Sequence, residues 1–466
     1  MLYQTIVDFY LKSIQSGNIL PGEKLPSLRQ TSDQFDVSLS TTVEAYRRLE
    51  LYGYAVVKDR SGYFACLPKL HDEVMTAAKE FKSKISNLSH MDEILDIFGQ
   101  SQNPDFAPFA IGNPELSKVP FRLLNRNLSK AIKQEPQSHG HYLFGHGLLE
   151  LRQVLSRWIR PWIGMNSPQN ILITNGCLEA INLALSVECE PGDIVAIESP
   201  CYYGLLHAIH HHKLKALEIK TDPGEGLNPE AFETMARTHK IKVLISSANG
   251  QNPLGFTMSD ERKKEILKIC EKYEIRLIED DLYGELCFTK IRPKSYKYFD
   301  QNSIVTYCSS FSKFLAPGVR IGWCIPAQKT EKYLRHKLSL NLSTSSLTQY
   351  MFYHILKNED LLAVGKNFAQ YYQNNIQIYS SVIQNQLEER VHMTRPNGSY
   401  FIWMKVNGLK SIPMFEKAKK HKLSFMPGPL LSATRQFDSY IRISCASEFT
   451  DERNHQLQKL CSLLKA

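Results

Sequence analysis

Ser309-Ser310-Phe311-Ser312-Lys313-Phe314-Leu315-Ala316-Pro317-Gly318-Val319-Arg320-Ile321-Gly322 follows the apolar pair Ile304-Val305 and crowds a lysine, several hydroxyls and an arginine into one turn. A lysine with a deprotonated amine forms an imine with an aldehyde, and hydroxyls beside an arginine suit a dianionic phosphate. Alone, the run is compatible with an ordinary strand-to-helix turn. It decides the fold because it is the last of five such runs. Each lies directly behind a short apolar strand: Ile171-Leu172-Ile173, Ile194 to Ile197, Val243 to Ile245, Ile275 to Ile278 and Ile304-Val305. Short buried strands alternating with helical stretches are the rhythm of an α/β sheet covered on both faces, and such sheets bind ligands beyond the carboxyl ends of their strands.

The other four runs supply complementary groups. Thr174-Asn175-Gly176-Cys177-Leu178-Glu179-Ala180 opens a helix, where backbone N–H groups and the dipole cradle a phosphate and the glycine lets the anion approach. Ser199-Pro200-Cys201-Tyr202-Tyr203-Gly204 offers an aromatic face that stacks on a flat ring. Asn249-Gly250-Gln251-Asn252-Pro253-Leu254-Gly255 puts an amide donor in a tight turn. Glu279-Asp280-Asp281-Leu282-Tyr283 ends a buried strand on carboxylates. An unpaired charge there is expensive, so a cationic partner such as a protonated pyridine nitrogen is expected. Asp280 and Asp281 are adjacent on a strand and face opposite ways, so only one can enter a site.

Through NGCLEA, ESPCYYG, NPLG, EDDLYGEL, SSFSK, PGVRIGW and YIRIS, residues 106–466 resemble the fold-type I aminotransferases. The resemblance implies an α/β fold with a mixed, mostly parallel sheet, a smaller C-terminal α+β subdomain over about 340–466, and pyridoxal 5'-phosphate (PLP) as cofactor. Residue by residue, it implies that Lys313 holds the cofactor as a Schiff base, Asp280 pairs with the pyridine nitrogen, and Asn252 and Tyr283 bond the ring's phenolic oxygen. The phosphate is expected on the backbone N–H groups of Gly176 and Cys177 and on Ser310, Ser312 and Arg320, with Tyr202 stacked on the ring. Lys313, Asp280 and Tyr283 are the catalytic candidates. Tyr142, ahead of Gly145-His146-Gly147, is similar to the tyrosine that reaches the phosphate of a second subunit, which implies a homodimer. Arg442, in Tyr440-Ile441-Arg442-Ile443-Ser444, matches the position that binds a substrate carboxylate through a bidentate pair.

The first 66 residues read differently. Ile6, Phe9, Tyr10 and Ile14 recur at helical spacing over Tyr3 to Ser16, and Gly17 is a stop. Ser27 with Gln30 three residues later is a capping box for a short helix to about Phe35, and Val43, Tyr46 and Leu49 give one apolar side to a helix ending near Gly53. Tyr54 to Val57 and Tyr63 to Ala65 flank a polar turn with Gly62 and read as a hairpin. Two short helices, a brief turn and a hairpin make a winged helix-turn-helix, whose second helix enters the major groove while polar groups and the wing touch phosphate. Ser27, Arg29, Ser38, Ser40, Thr41, Arg47, Lys58 and Arg60 are the DNA-binding candidates. The run GEKLPSLRQTSDQFDVSLSTTVEAYRRLELYGY with RSGYFA looks like the head of GntR-type regulators, and head plus large domain resemble their MocR subfamily. A small adaptor or dimerisation module is the competing reading of the head.

Charge does not carry the DNA reading: the net charge is +9, but residues 1–66 hold seven Lys/Arg against seven Asp/Glu. Residues 67–105 are polar and acidic, with an amphipathic patch at Met91 to Phe98, and read as a linker bearing a helix. The ten cysteines form no CxxC pair, which argues against a zinc site or a disulfide framework and for a reduced, cytoplasmic setting. No apolar run is long enough for a membrane helix. His207, His210, His211 and His212 lack a nearby carboxylate or Cys cluster and are set aside as metal ligands. Three functions compete. The first is a regulator that binds double-stranded DNA and senses PLP or an amino compound; the others are a working PLP-dependent aminotransferase and a cofactor-free scaffold for the head.

Overall fold

Helices α1 (Leu2–Gln15), α2 (Leu28–Phe35) and α3 (Leu39–Leu51) and the hairpin β1 (Ala55–Lys58) and β2 (Gly62–Ala65) build the head. The structure is a computed structural model that describes residues 2–15, 18–58, 61–67, 75, 81, 83–86 and 90–465. Ser27 caps α2 through the reciprocal bonds with Gln30 that the sequence implies, and Ser38 caps α3 by accepting from the Thr41 N–H. A buried chain of hydroxyls ties the three helices: Tyr10 to Thr31 at 2.9 Å, Thr31 to Tyr46 at 2.8 Å, and the Tyr46 hydroxyl donating to the Pro26 carbonyl at 2.7 Å. Two expected core positions are exposed instead. Phe9 and Val43 lie at the margin of their helices, and the buried faces are Ile6, Val7, Tyr10, Leu11 and Ile14 on α1 and Ala45, Tyr46 and Leu49 on α3.

Among the described residues, those of 1–73, 374–392 and 449–466 form one compact unit and those of 74–373 and 393–448 another. The first unit thus adds C-terminal chain to the head. The Arg48 guanidinium, almost wholly buried, donates to Asp451 at 2.6 Å, and the ring of Phe449 meets Tyr52 and Tyr379 edge-on, with centroids 5.9 and 5.0 Å away. The Gln377 amide oxygen accepts from Gln15 and from the Tyr54 hydroxyl, both at 2.7 Å. Phe449→Ala is expected to destabilise this unit by about 3 kcal/mol, as for other buried Phe-to-Ala changes. Faster amide exchange over residues 42–54, with the large sheet unchanged, is the readout; equal exchange in both proteins would refute it.

In the second unit, nine strands among the described residues form one sheet: β3 (Ile85–Ser86), β4 (Leu172–Thr174), β5 (Ile194–Ser199), β6 (Lys215–Asp222), β7 (Gly226–Leu227), β8 (Ile241–Ser246), β9 (Arg276–Asp280), β10 (Val305–Ser310) and β11 (Gly322–Ile325). Their order is β3-β6-β5-β8-β9-β10-β11-β4, with β7 beside β6. Every pairing along the run β6-β5-β8-β9-β10 is parallel, and β11 is antiparallel to both neighbours. Alternate side chains serve two cores. Leu172, Cys308 and Cys324 pack with the helix Cys177–Glu188 on one face, whereas Ile173, Tyr307 and Trp323 pack with Leu155 and Phe352 on the other. A smaller antiparallel sheet includes β12 (Phe401–Val406), β13 (Met426–Pro427) and β14 (Tyr440–Ser444), with β14 between the other two. The amphipathic patch of the linker is helix α4 (Met91–Gln102), which buries Ile94 and Ile97.

Candidate functional sites

Strand direction gathers the five motif runs. β5, β8, β9 and β10 run the same way, and two antiparallel steps through β11 return β4 to that direction, so all five runs leave the same sheet edge. Because β11 runs oppositely, Arg320, just before it, also lies at that edge. There the chain encloses a cavity of about 280 Å³ lined by Cys177, Tyr202, Asn252, Asp280, Tyr283 and Lys313 together with Ser310, Ser312, Arg320 and Arg442.

At one end, Gly176 precedes the helix Cys177–Glu188 with φ +89°, and a Cβ there would lie 2.4 Å from Arg320 Nη2. The glycine therefore lets the guanidinium close over the helix start, where Arg320 donates to the Asn175 carbonyl at 2.8 Å and to Ser312 Oγ at 3.4 Å. Arg320 itself takes a left-handed conformation, φ 56°, a strain that surrounding structure must hold. Ser310, Ser312, Arg320 and the first N–H groups of the helix make a cradle for a dianion. One N–H of that turn is already used: Asn175 donates to Glu179 at 2.7 Å.

At the other end, Asp280 is buried, and its bonded neighbour is the Cys177 thiol, which donates at 3.3 Å. Burial lifts the carboxyl to about 6; the thiol and Lys313 oppose that, and Asp281 adds to it. A carboxylate in this position is completed by a cation such as a protonated ring nitrogen. Burial, reinforced by Arg442 and Arg320 and opposed by Asp280, pulls Lys313 down to about 8, while its Nζ donates to the Gly112 carbonyl at 2.9 Å. Part of the lysine is thus the neutral, nucleophilic amine near neutral pH. The Tyr202 ring lies against Gly204, where a Cβ would come within 2.3 Å of it. These residues fit a flat aldehyde that carries a phosphate at one end and a basic ring nitrogen at the other.

Arg442 on β14 is fully enclosed over the Phe401 ring, 4.2 Å from its centroid, and donates to Asn252 Oδ1 at 2.8 Å and to the Ala110 carbonyl. Its Nε has no partner among the described residues. Asn252 therefore faces Arg442 as well as the cavity. Asp281 turns to the opposite side of the strand, where Arg292 holds it at 2.7 Å. Tyr142 does not line the cavity; it is 67% exposed beside Phe144. Phe98 of α4 does line it, although its sequence neighbourhood reads as linker. No local pattern distinguishes Phe98 from an ordinary apolar helix position.

On the head, Ser27, Arg29, Ser38, Ser40, Arg47 and Lys58 are exposed and Thr41 is half-buried; Arg60 lies outside the described residues. Ser38 bonds the hydroxyls of Ser40 and Thr41 at 2.9 and 2.8 Å, which clusters them at the start of α3, and the Lys58 ammonium sits 4.3 Å from the centre of the Phe64 ring. Among the described residues, no group of three or more His, Cys, Asp or Glu could hold a metal, and no helix is long and apolar enough to cross a membrane.

Residues 105–460 match the family "Aminotransferase class I and II", and residues 2–64 match "Bacterial regulatory proteins, gntR family". The uncharacterized HTH-type transcriptional regulators YjiR and YdcR of Escherichia coli are similar over whole chains: 30% identical over 98% of this chain and 97% of YjiR, and 31% identical over 99% of each for YdcR. Among solved structures, the Pyrococcus horikoshii kynurenine aminotransferase in complex with PMP superposes with a TM-score of 0.73 at 27% identity, covering 83% of this chain and 95% of its own.

Proposed function

Because the chain belongs to the aminotransferase class I and II family and joins that domain to a GntR-type head in the MocR arrangement, we propose that it is a DNA-binding transcriptional regulator whose large domain holds PLP and answers to an amino compound. The observation that carries the reading is the coexistence in one chain of a capped helix-turn-helix with exposed polar groups and a lysine-containing cavity built for the cofactor. The regulators YjiR and YdcR, similar along their whole lengths, support the first half, and the PMP-bound aminotransferase supports the second. In this reading residues 1–66 bind DNA, residues 67–105 link, and residues 106–466 sense. The setting is the reducing cytoplasm, in keeping with ten cysteines of which none is in a disulfide among the described residues.

Bound PLP supplies an aldehyde carbon and an electron-withdrawing ring. The chain's residues do the rest. Lys313 Nζ is the amine that holds the aldehyde and carries a proton within the site. Asp280 keeps the ring nitrogen protonated, Tyr202 covers the ring, and Asn252 and Tyr283 address its hydroxyl oxygen. Gly176, Cys177, Ser310, Ser312 and Arg320 take the phosphate. Arg442, with Nε unused, takes the ligand's carboxylate. Tyr142, exposed away from its own cavity, serves the phosphate of a second copy, so the protein is a homodimer.

A second reading, a working aminotransferase, is favoured by the completeness of this set: a neutralisable Lys313, a buried Asp280 and an enclosed Arg442. One experiment separates the two. Binding to the protein's own promoter DNA is compared without PLP, with PLP and with PLP plus amino acids, for the native chain and Lys313→Ala. The regulator reading expects a ligand-dependent change in DNA affinity that Lys313→Ala abolishes. Unchanged affinity, with conversion of the cofactor to its amine form by an amino acid, establishes the enzyme instead.

A further inference from the structure

The walls around Arg442 define what else a ligand must carry. Phe401 lies under the guanidinium, and Tyr202, Tyr203 and Tyr283 are close enough to act on its charge. Phe98, delivered by α4, meets Tyr203 edge-on at 5.9 Å and lines the same cavity, as does Ile111. The cations lining the cavity among the described residues are Lys313, Arg320 and Arg442, and they are already committed, in turn, to the aldehyde, the phosphate and one carboxylate. Among the described residues of this chain, no further cation lines the cavity to meet a second carboxylate on a ligand, whereas aromatic faces surround the first.

Helix α4 is fixed, not casually placed. Ile94 and Ile97 are fully buried, Asp96 pairs with Lys419 at 2.7 Å, and Glu93 pairs with Arg435. These contacts set the helix turn that presents Phe98. We infer that the cavity selects an α-amino acid with an aromatic or large apolar side chain, and that Phe98, supplied by the segment that follows the head, is its specificity-determining residue. The inference rests on the reading that this cavity holds PLP and an amino compound. The physical grounds are general: a ring among aromatic faces gains edge and offset contacts, while a second carboxylate would be desolvated with no cation of this chain's described lining to meet it.

The test is a titration of the PLP-loaded protein with L-phenylalanine, L-leucine, L-glutamate and 4-aminobutyrate, followed by the cofactor's absorption. Phenylalanine and leucine are expected to bind at least about tenfold more tightly than glutamate or 4-aminobutyrate, the discrimination typical of a hydrophobic pocket. Phe98→Ala should weaken phenylalanine by about tenfold and leave glutamate unchanged. Phe98→Leu, which keeps the apolar volume, should keep leucine and weaken phenylalanine, and it guards against a folding defect in the alanine variant. Glutamate or 4-aminobutyrate binding as tightly as phenylalanine would overturn the inference, as would Phe98 variants that shift every ligand equally. A protein that never acquires the cofactor's absorption overturns the cofactor reading, and this inference falls with it.

Discussion

Arg292→Met is expected to destabilise the large unit by about 3–5 kcal/mol, the range for stranding the partners of a buried ion pair. The Arg292 guanidinium bridges Asp281 at 2.7 Å and Glu285 at 2.8 Å, and none of the three side chains is more than 8% exposed. Asp281 also accepts from the Tyr307 hydroxyl at 2.8 Å and from the Asn249 amide at 3.1 Å, while Arg292 bonds Glu285 through Oε1 and Oε2 has no hydrogen-bond partner among the described residues. The arginine in turn lies 4.1 Å from the centre of the Trp162 ring, so its packing is lost along with its charge. Two largely buried carboxylates left without their cation carry most of the cost. Chemical denaturation that monitors the large sheet measures it. The triple change Arg292→Met, Asp281→Asn, Glu285→Gln should recover most of the loss, because neutral groups tolerate the interior better. A single variant within about 1 kcal/mol of the native chain would show the cluster to be ordinary surface pairing. The consequence reaches the site, since Asp281 and Glu285 bracket Tyr283 and Asp281 adjoins Asp280.

The parts of this molecule visible in its sequence are those written in local pattern. Ser27 with Gln30 announces a helix start through chemistry confined to one turn, and the structure forms that cap. The strands that carry the motif runs are continuous apolar stretches because helices cover both faces of the sheet, and each begins within two residues of where the pattern begins, although the last extends to Ser310. What pattern cannot carry is contact between distant segments. Phe98 is one more apolar residue in a polar stretch until the fold sets Tyr203 against it. Nothing local marks Arg48 on α3 as buried, yet it is, and it pairs with Asp451 about four hundred residues later. Val43 fits the helical period but falls at the edge of the buried stripe, 41% exposed.

Lys313 sets stability against function in a way that one substitution exposes. Its ammonium is partly withdrawn from water, and burial, followed by the repulsion of Arg442 and Arg320, lowers it from 10.5 to about 8 despite Asp280. Below pH 8 the lysine is charged in both folded and unfolded chains, and the folded state bears the full penalty. As pH rises from 8 towards 10.5 the folded form gives up its proton while the unfolded form keeps it, so the penalty is released. Lys313→Met, which fills the same space with an unbranched apolar chain, should therefore stabilise the cofactor-free protein by up to about 3 kcal/mol at neutral pH. The gain should shrink progressively above pH 8. The hydrogen bond that is lost does not strand its acceptor, because the Gly112 carbonyl still receives the Tyr400 hydroxyl at 2.8 Å. The same variant should fail to retain PLP after borohydride treatment. Thermal unfolding of both cofactor-free proteins across this pH range decides the matter. A lower melting temperature for Lys313→Met at neutral pH would mean that the amine is stabilised where it lies, and the site would then hold its lysine at rest instead of keeping it poised to react.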